Sequence, residues 1–328
     1  MTTLSVDNPQ LELAKGSKYL FVASTGGHLA QLKRISTSLT ASRESLWVTF
    51  DSEQSRSLLE GERVHYVPYI ASRDLKGVLA ASIEVGKLMR RERFEAVVST
   101  GAALALAAMP LARAHRVPTT YIESVSRVNG PSLTGRIIAA LRLAELRTQH
   151  DTWANARWKK HPSVLTHFKP VPRAESVPSV KDLKIFVSLG TIKPYTFDSM
   201  IDSLLNTGLC NENTTWQLGS TRREDLPGRV LRQTTAREFE HLCRTSDVVV
   251  THSGVGTILN LLESGIHPVV VPRRKQRNEH VDDHQLQIAE LVSELGVATV
   301  CEAPALEAKH IIRAANLRTV PAGLGSPE

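Results

Sequence analysis

The sequence predicts an α/β protein built from two doubly wound, mostly parallel domains, and three observations carry that prediction. The chain has 328 residues, which at roughly 100–200 residues per domain favours two domains. Short β-rich runs alternate with longer segments whose apolar residues recur at helical spacing, the mark of βαβ units on a parallel sheet. The stretch 169–182, KPVPRAESVPSVKD, holds three prolines and no helical period, and the alternation restarts beyond it.

In the first half, strands are expected at 18–24, 46–50, 64–70, 96–99 and 118–123, with helices over 28–39 and 75–91. In the second half, strands are expected at 184–188, 215–218, 229–231, 247–251, 267–271 and 297–300. Helices are expected there at 197–206, 237–244, 254–263 and 281–294. The organisation that follows is a loose N-terminus over 1–17, a first domain over 18–170, a linker at 171–182, a second domain over 183–317 and a tail at 318–328.

Composition narrows the function. With 41% hydrophobic and 22% charged residues the chain falls among ordinary globular proteins, not disordered or fibrous ones. Cysteines at 210, 243 and 301 are too few and too scattered for a disulfide framework or a Cys-rich zinc site, which favours a reducing compartment. The first ten residues are polar, with neither a basic n-region nor an apolar h-region, so the expected location is cytoplasmic. The longest uncharged stretch, 96–112, is broken by Ser99, Thr100, Gly101 and Pro110 and falls short of a spanning helix. Forty basic against 33 acidic residues give a net charge of +7, suited to acidic small molecules, anionic membranes or nucleic acid. No basic run interleaved with aromatics and no helix-turn-helix signature is present, which argues against nucleic acid.

Ligands of doubly wound domains bind beyond the carboxyl ends of the strands, and a pair of such domains normally holds them in the cleft between its sheets. The first strand ends in Ser24-Thr25-Gly26-Gly27-His28, directly before an amphipathic helix. Gly26 and Gly27 let the backbone turn tightly against a ligand, and His28 falls where the helix dipole favours a neutral, base-competent imidazole. A Gly-rich turn with a capping histidine gives the same pattern. Thr100 and Gly101 repeat the arrangement, with a plain turn into a buried helix as the simpler reading. Beyond the next strand, Glu123, Ser124, Arg127, Ser132, Thr134 and Arg136 suit a sugar or a pyrophosphate, or else a capping loop with Ser132 as the cap.

Two basic segments suit either an anionic membrane surface or a helix packed on its sheet. In one, Arg136, Arg142 and Arg147 accompany Ile137, Ile138, Leu141 and Leu143; in the other, Lys76, Lys87, Arg90 and Arg91 accompany Gly77, Val78, Leu79 and Leu88.

In the second half, VSLGT ends the first strand at Gly190 and Thr191, and THSGVGT over 251–257 ends a later strand and opens a helix. Main-chain N–H groups at a helix start bind phosphate, Gly254 and Gly256 let it come close, and Ser253 and Thr257 add hydroxyl donors. A helix cap without a ligand is the alternative. No Gly-Lys-Ser/Thr follows and Leu259 stands where a third glycine would, so this is neither a Walker loop nor a dinucleotide fingerprint. Arg273 then precedes Glu279, His280, Asp282, Asp283, His284 and Gln285. His280 and His284 have the spacing of a metal pair, but no third strong ligand is evident, so a sugar- and nucleotide-contacting loop is preferred and no metal is assigned. The absence of Asp-x-Asp argues against a metal-bridged nucleotide diphosphate, and the absence of Gly-x-Ser-x-Gly against a serine hydrolase.

Together these segments resemble a known group of glycosyltransferases. STGGHLAQL, VVSTGAA and YIESVSRVNGPSLTGR resemble the membrane-recruiting, acceptor-binding subunit of the eukaryotic two-subunit GlcNAc transferase acting on dolichol-linked sugar, and especially its bacterial exopolysaccharide counterparts. IFVSLGT, THSGVGTILNLLESG and VVVPRRKQRNEHVDDHQ resemble the catalytic, donor-binding subunit of that pair and the C-terminal half of MurG, of glycosyltransferase family 28. The resemblance spans roughly residues 18 to 300 and implies both halves fused in one chain.

The resemblance implies a GT-B fold and an inverting, metal-independent transfer, without a cofactor, from a UDP-sugar to a polyprenyl-diphosphate-linked saccharide. It places the enzyme peripherally on the cytoplasmic membrane face, with a partner glycosyltransferase as a further expectation. His28 matches the Gly-Gly-His histidine, as base or acceptor-positioning group, with Glu123 in reserve. Gly26, Gly27, Thr100, Gly101, Ser124, Arg127, Ser132, Thr134 and Arg136 would meet the acceptor. Gly190, Thr191, Ser253, Gly254, Gly256 and Thr257 match donor-loop positions, with His252 and Arg273 beside the diphosphate. Gln285 matches the glutamine that approaches the donor sugar, and Glu279, His280, Asp283 and His284 complete the donor loop. Related sequences carry Glu seven residues after the loop serine to grip the ribose hydroxyls, where this chain has Asn260. No counterpart of the eukaryotic subunit's N-terminal membrane anchor is expected. Two other readings share the architecture: a UDP-sugar epimerase, and a non-catalytic sugar-nucleotide-binding partner of a transferase.

Overall fold

The computed structural model describes residues 16–71, 74–175, 177, 179–190, 193–281 and 283–322, which form two compact units dividing between Val164 and Leu165. Thr191, Asp282, most of the expected loose N-terminus and the end of the expected tail lie outside the described residues.

The first unit contains strands β1 (Tyr19–Ala23), β2 (Leu46–Phe50), β3 (Arg63–Val67), β4 (Ala96–Gly101), β5 (Thr119–Ile122), β6 (Glu145–Thr148) and β7 (Trp158–Lys160). Its helices are α1 (Gly27–Ser38), α2 (Glu53–Leu58), α3 (Leu75–Arg91), α4 (Ala103–Ala114) and α5 (Leu133–Ala140). The strands make one parallel sheet in the order β3-β2-β1-β4-β5-β6-β7. Every residue of β1, β2 and β4 is buried, which is why these strands read as continuous apolar runs and not as an alternation. The strand order reverses between β1 and β4, the point where an open α/β sheet leaves a crevice for ligands.

Three expectations for this unit need correction. Ser17 is no part of a loose end: it is 5% exposed, and its carbonyl accepts from Ser42 N at 2.9 Å. The basic segment from Arg136 to Arg147 is not one helix. α5 stops at Ala140, Arg142 turns the chain with φ 51°, and Arg147 lies buried in β6 with its guanidinium 2.8 Å from Glu145. On α3, Val78 and Leu88 pack partly buried against the core, while Leu75, Leu79 and Ile83 are exposed.

The second unit contains β8 (Phe168–Pro172), β9 (Ile185–Ser188), β10 (Thr215–Gln217), β11 (Arg229–Leu231), β12 (Val248–His252), β13 (Val269–Val271), β14 (Thr299–Val300) and β15 (Leu317–Pro321). Its helices are α6 (Asp198–Asn206), α7 (Ala236–Thr245), α8 (Val255–Glu263), α9 (His284–Glu294) and α10 (Ala308–Ala315). Six strands form a parallel sheet in the order β11-β10-β9-β12-β13-β14, reversing between β9 and β12.

β8 and β15 form a separate antiparallel pair, which corrects the expected linker and tail. Residues 168–172 are the first strand of the second unit and 317–321 its last, with Thr319 N donating to Gly265 O at 3.1 Å. Prolines 170 and 172 sit in this two-stranded edge, where a missing N–H is tolerated. Residues 180–182 are a short 3-10 turn. Among the described residues no helix is long and apolar enough to cross a membrane.

Candidate functional site

In each unit the candidate residues cluster at the carboxyl ends of the strands flanking the reversal point. In the first unit, Gly26 turns the chain with φ 84° after β1, and its N–H donates to Gln54 Oε1 at 3.1 Å. His28 follows in the first turn of α1 with its Nδ1 2.7 Å from Thr100 O. Because a carbonyl only accepts, Nδ1 carries the proton and Nε2 keeps its lone pair. Thr100 answers by donating its hydroxyl to His28 O at 2.7 Å, which locks β4 to α1. Burial holds the imidazole pKa below its usual 6.5, opposed by the Thr100 bond and helped by the positive charge of Arg127. The result is a neutral, half-buried imidazole oriented by a backbone carbonyl.

A Cβ on Gly101, which has φ 104°, would come within 3.1 Å of the His28 ring and 3.2 Å of the Tyr121 hydroxyl. Close approach of β4 to His28 therefore requires glycine here.

The hydroxyls expected to meet an acceptor are mostly engaged within the fold. Thr100 is fully buried and Ser124 is 3% exposed. Ser132 caps α5 by accepting from Gly135 N at 3.0 Å, the simpler of its two expected roles. Glu123 does not fit the reserve-base role. It is fully buried, and its Oε2 accepts from Ser132 N at 2.9 Å and Ser132 Oγ at 3.0 Å. Its Oε1 accepts from Tyr121 and Ser124, each at 3.2 Å. Burial raises its pKa, with the Ser132 bonds opposing. Both oxygens are thus engaged in holding the β5–α5 loop. Arg127 and Thr134 are half-buried and Arg136 is exposed.

Gln31 was not legible as part of this site. It is fully buried on α1, donates to Gly27 O at 2.9 Å and Ser124 Oγ at 3.0 Å, and accepts from Val125 N at 2.8 Å and Gln149 Nε2 at 3.0 Å. A glutamine three residues after His28, on the buried face of its helix, is the only sequence signal for it.

In the second unit, α8 begins at Val255 with Gly254 as its N-cap and without a side-chain cap. Its first-turn N–H groups, including those of Gly256 and Thr257, point out of the helix start, where the dipole favours an anion. Ser253 is 2% exposed, and its buried Oγ has no hydrogen-bond partner among the described residues. A buried hydroxyl without a partner costs free energy, so its position before a helix N-terminus points to an anionic acceptor.

Gly190 and Gly254 have an additional task that sequence alone did not show. A Cβ on Gly190 would lie 2.6 Å from the His252 ring and one on Gly254 would collide with it, so the two glycines make room for this imidazole. Burial, with the charge of Arg273 second, pushes the His252 pKa down to about 3, leaving the ring neutral.

Arg273 and Glu279 are both built into the framework of the second unit. The Arg273 side chain is 1% exposed and donates to Thr196 O at 2.9 Å, Glu279 O at 3.0 Å and Leu189 O at 2.6 Å. Its guanidinium also lies 4.7 Å from the centre of the Phe197 ring, and burial lowers its pKa to about 10. It staples the loops after β9 and β13, while its buried Nε has no hydrogen-bond partner among the described residues. Glu279, 4% exposed, accepts from Arg274 N and Arg277 Nε, each at 3.0 Å, and from the Ser199 hydroxyl.

Gln285 Oε1 accepts from Ser253 N at 3.2 Å and Arg273 N at 3.1 Å, tying the ends of β12 and β13. Asp283 holds the turn before α9 by accepting from Lys275 N at 3.0 Å. α9 starts at His284 and not at 281, so His280 and His284 do not share a helix; His280 stacks instead with Tyr195. Among the described residues no cluster of three His, Cys, Asp or Glu side chains has the arrangement to hold a metal. Asn260 sits half-buried on α8. Beyond the ends of β9, β10 and β11, Lys193 and Arg232 flank a cavity of about 570 Å³; neither stood out in the sequence, because isolated basic residues in loops carry no pattern.

Residues 215–312, from β10 into α10, match the family model described as the glycosyltransferase family 28 C-terminal domain. The chain is a glycosyltransferase. Its two units have the GT-B fold, shown by solved structures that are similar across most of both chains. MurG of Acinetobacter baumannii is 17% identical, with 90% of this chain and 89% of that one covered and a TM-score of 0.55. The glycosyltransferase SsfS6 of Streptomyces sp. SF2575, complexed with thymidine diphosphate, is 17% identical, with 92% and 90% covered and a TM-score of 0.52. The S. aureus MnaA–UDP co-structure is 10% identical, with 85% and 88% covered and a TM-score of 0.54. No curated protein sequence matches the glycosyltransferase chain.

Proposed function

We propose that this glycosyltransferase moves a sugar, with inversion, from a UDP-sugar to a polyprenyl-diphosphate-linked saccharide in bacterial exopolysaccharide or cell-surface glycan synthesis. The observation that carries the donor half is the uncapped start of α8 behind the buried, unpartnered Ser253 hydroxyl. Two structural neighbours bear a nucleoside diphosphate in their descriptions, and the family 28 match contains α8. Negative charge builds on the diphosphate as the glycosidic bond breaks, and fixed N–H and O–H donors stabilise it without reorganising. Thr191, Gly256 and Thr257 join Ser253 in this role, and Asn260 lies one turn further along α8 for the ribose.

His28 is the proposed base. Its Nε2 takes the proton of the acceptor hydroxyl as that oxygen attacks the anomeric carbon, while Thr100 O steadies the imidazolium that forms. Arg127, whose charge reaches His28, and exposed Arg136 suit the acceptor's diphosphate.

The exposed face of α3 supports work at a membrane. Leu75, Leu79 and Ile83, which are 79%, 65% and 54% exposed, follow one another at four-residue spacing beside exposed Lys76, Arg90 and Arg91. An apolar stripe flanked by cations is the composition of an interfacial helix. The proposed location is therefore peripheral, on the cytoplasmic face of an anionic membrane.

The deciding experiment incubates the purified chain with a panel of UDP-sugars and polyprenyl-diphosphate-linked acceptors, reading UDP release and lipid mass together. A sugar-sized gain in lipid mass matched by UDP release is expected. Interconversion of UDP-sugars without lipid would reveal an epimerase, and donor binding without UDP release a non-catalytic partner.

A further inference from the structure

A cavity of about 780 Å³ lies in the first unit at the amino-terminal edge of β5 and β6, away from the strand ends that carry His28. Three arginines line it: Arg113, Arg116 and Arg142. Its size is that of a small-molecule site. None of the three guanidiniums has a hydrogen-bond or ion-pair partner among the described residues, whereas Glu145 at the same rim is already paired with Arg147 at 2.8 Å and Lys159 at 3.7 Å. The carboxylate's charge is thus matched elsewhere, and the three arginines in the lining are left without a counter-charge among the described residues.

The backbone shows where two of them come from. α4 ends with Arg116 N donating to Arg113 O at 3.1 Å and Val117 N to Ala112 O at 2.9 Å. α5 ends the same way, with Arg142 N donating to Ala139 O and Leu143 N to Ile138 O, each at 3.1 Å. Both are Schellman turns, whose left-handed residue is usually glycine because a side chain is disfavoured there. Here the left-handed positions, at φ 58° and 51°, hold Arg116 and Arg142. A cation near a helix C-terminus gains from the dipole, but that gain does not require two adjacent turns to bring their arginines to the lining of one cavity, nor a third from Arg113.

We propose that this cavity is a second anion site, which binds a phosphate-bearing ligand of at least two negative charges through Arg113, Arg116 and Arg142. Planar guanidiniums pair two-pronged with phosphate oxygens, and three of them around one cavity suit a diphosphate or a phosphomonoester better than a single carboxylate. The same chemistry is offered by a soluble pyrophosphoryl compound and by an anionic lipid headgroup, and the exposed side chain of Leu141 beside Arg142 is compatible with the second source.

The test is calorimetric titration of inorganic pyrophosphate into the full chain, with and without saturating UDP, comparing the wild type with an R116G/R142G variant. Glycine suits both left-handed positions, so the variant loses two charges without losing the turns, and its melting temperature should be unchanged or higher. Pyrophosphate binding that persists under UDP and weakens about a hundredfold in R116G/R142G, roughly tenfold per guanidinium removed, is expected. Equal affinity in the two proteins, or no binding to the UDP-saturated wild type, overturns the site. Should UDP fail to bind at all, the wild-type against R116G/R142G comparison still decides this proposal separately from the donor assignment. A parallel sedimentation with vesicles of phosphatidylcholine and phosphatidic acid separates the sources. Loss of vesicle binding in R116G/R142G identifies a lipid headgroup, and unchanged vesicle binding with lost pyrophosphate affinity identifies a soluble phosphate.

Discussion

His28 and Arg273 show how similar sequence contexts lead to opposite uses. Both follow strand ends in Gly- or Arg-rich loops, yet one keeps a lone pair on Nε2 while the other gives its terminal N–H groups to carbonyl oxygens. Replacing His28 with alanine should lower turnover about a hundredfold while leaving UDP affinity within about twofold by calorimetry, since the proposed donor loops are elsewhere in the sequence. The pH profile adds a sign. The base works when neutral, and its pKa lies below 6.5 in the fold, so the acid limb of kcat/KM should fall below pH 6.5 and vanish in the alanine variant's residual rate. An acid limb at or above 6.5 would remove His28 from the role. Arg273→Met should act on stability instead. Three carbonyls lose their donor in a buried setting, which should cost about 3 kcal/mol by chemical denaturation. Unchanged stability with tenfold weaker UDP binding would return the guanidinium to the diphosphate. Ser253→Ala is the complementary case: removing a buried, unpartnered hydroxyl should leave stability equal or higher while UDP affinity falls about tenfold.

At the scale of elements, α3 was legible end to end, because Asp74 caps its start by accepting from Gly77 N and its apolar residues keep helical spacing for 17 residues. What the pattern did not show was which apolar residues face outward. Val78 and Leu88 were grouped with Leu79, and only the packed structure separates them from the Leu75–Leu79–Ile83 stripe. The α5–β6 region was misread because Leu141 and Leu143 continue the apolar spacing past Ala140, while the left-handed turn at Arg142 occurs without a glycine to announce it. β8 and β15 were hidden for a different reason: prolines signal a linker locally, and the pairing that makes them strand residues joins positions about 150 residues apart in sequence. The stripe supplies a prediction at this scale. Leu79→Glu with Ile83→Glu should reduce flotation with anionic phosphatidylglycerol vesicles at least about tenfold, as two exposed apolar side chains that would enter the membrane are replaced by charges that it repels. Activity on a short-chain, water-soluble acceptor should be unchanged. Loss of both activities together would instead mean that α3 packs against the acceptor or the fold.

For the molecule as a whole, the two-unit α/β architecture was readable because parallel sheets buried on both faces leave long apolar runs, one βα repeat after another. The candidate site was readable only where an unusual residue type stands at a strand end, as with His28 and the Ser253–Thr257 loop. Gln31, the glycines that house His252 and the carbonyl staple of Arg273 depend on contacts between distant segments, which no local spacing encodes. The division between Val164 and Leu165 carries a thermodynamic consequence. Each unit has its own sheet and its own buried cluster, so calorimetric unfolding should resolve into two transitions. A ligand that binds one native unit raises only the transition of that unit, by RT ln(1 + [L]/Kd), or about 2.7 kcal/mol at a hundredfold excess over Kd. For a domain of this size that amounts to a shift of roughly 5–11 °C. UDP should therefore move one transition and leave the other in place, and the moving one should be the transition that Arg273→Met lowers. Movement of the transition untouched by Arg273→Met would assign the nucleotide to the first unit and reverse the donor and acceptor halves.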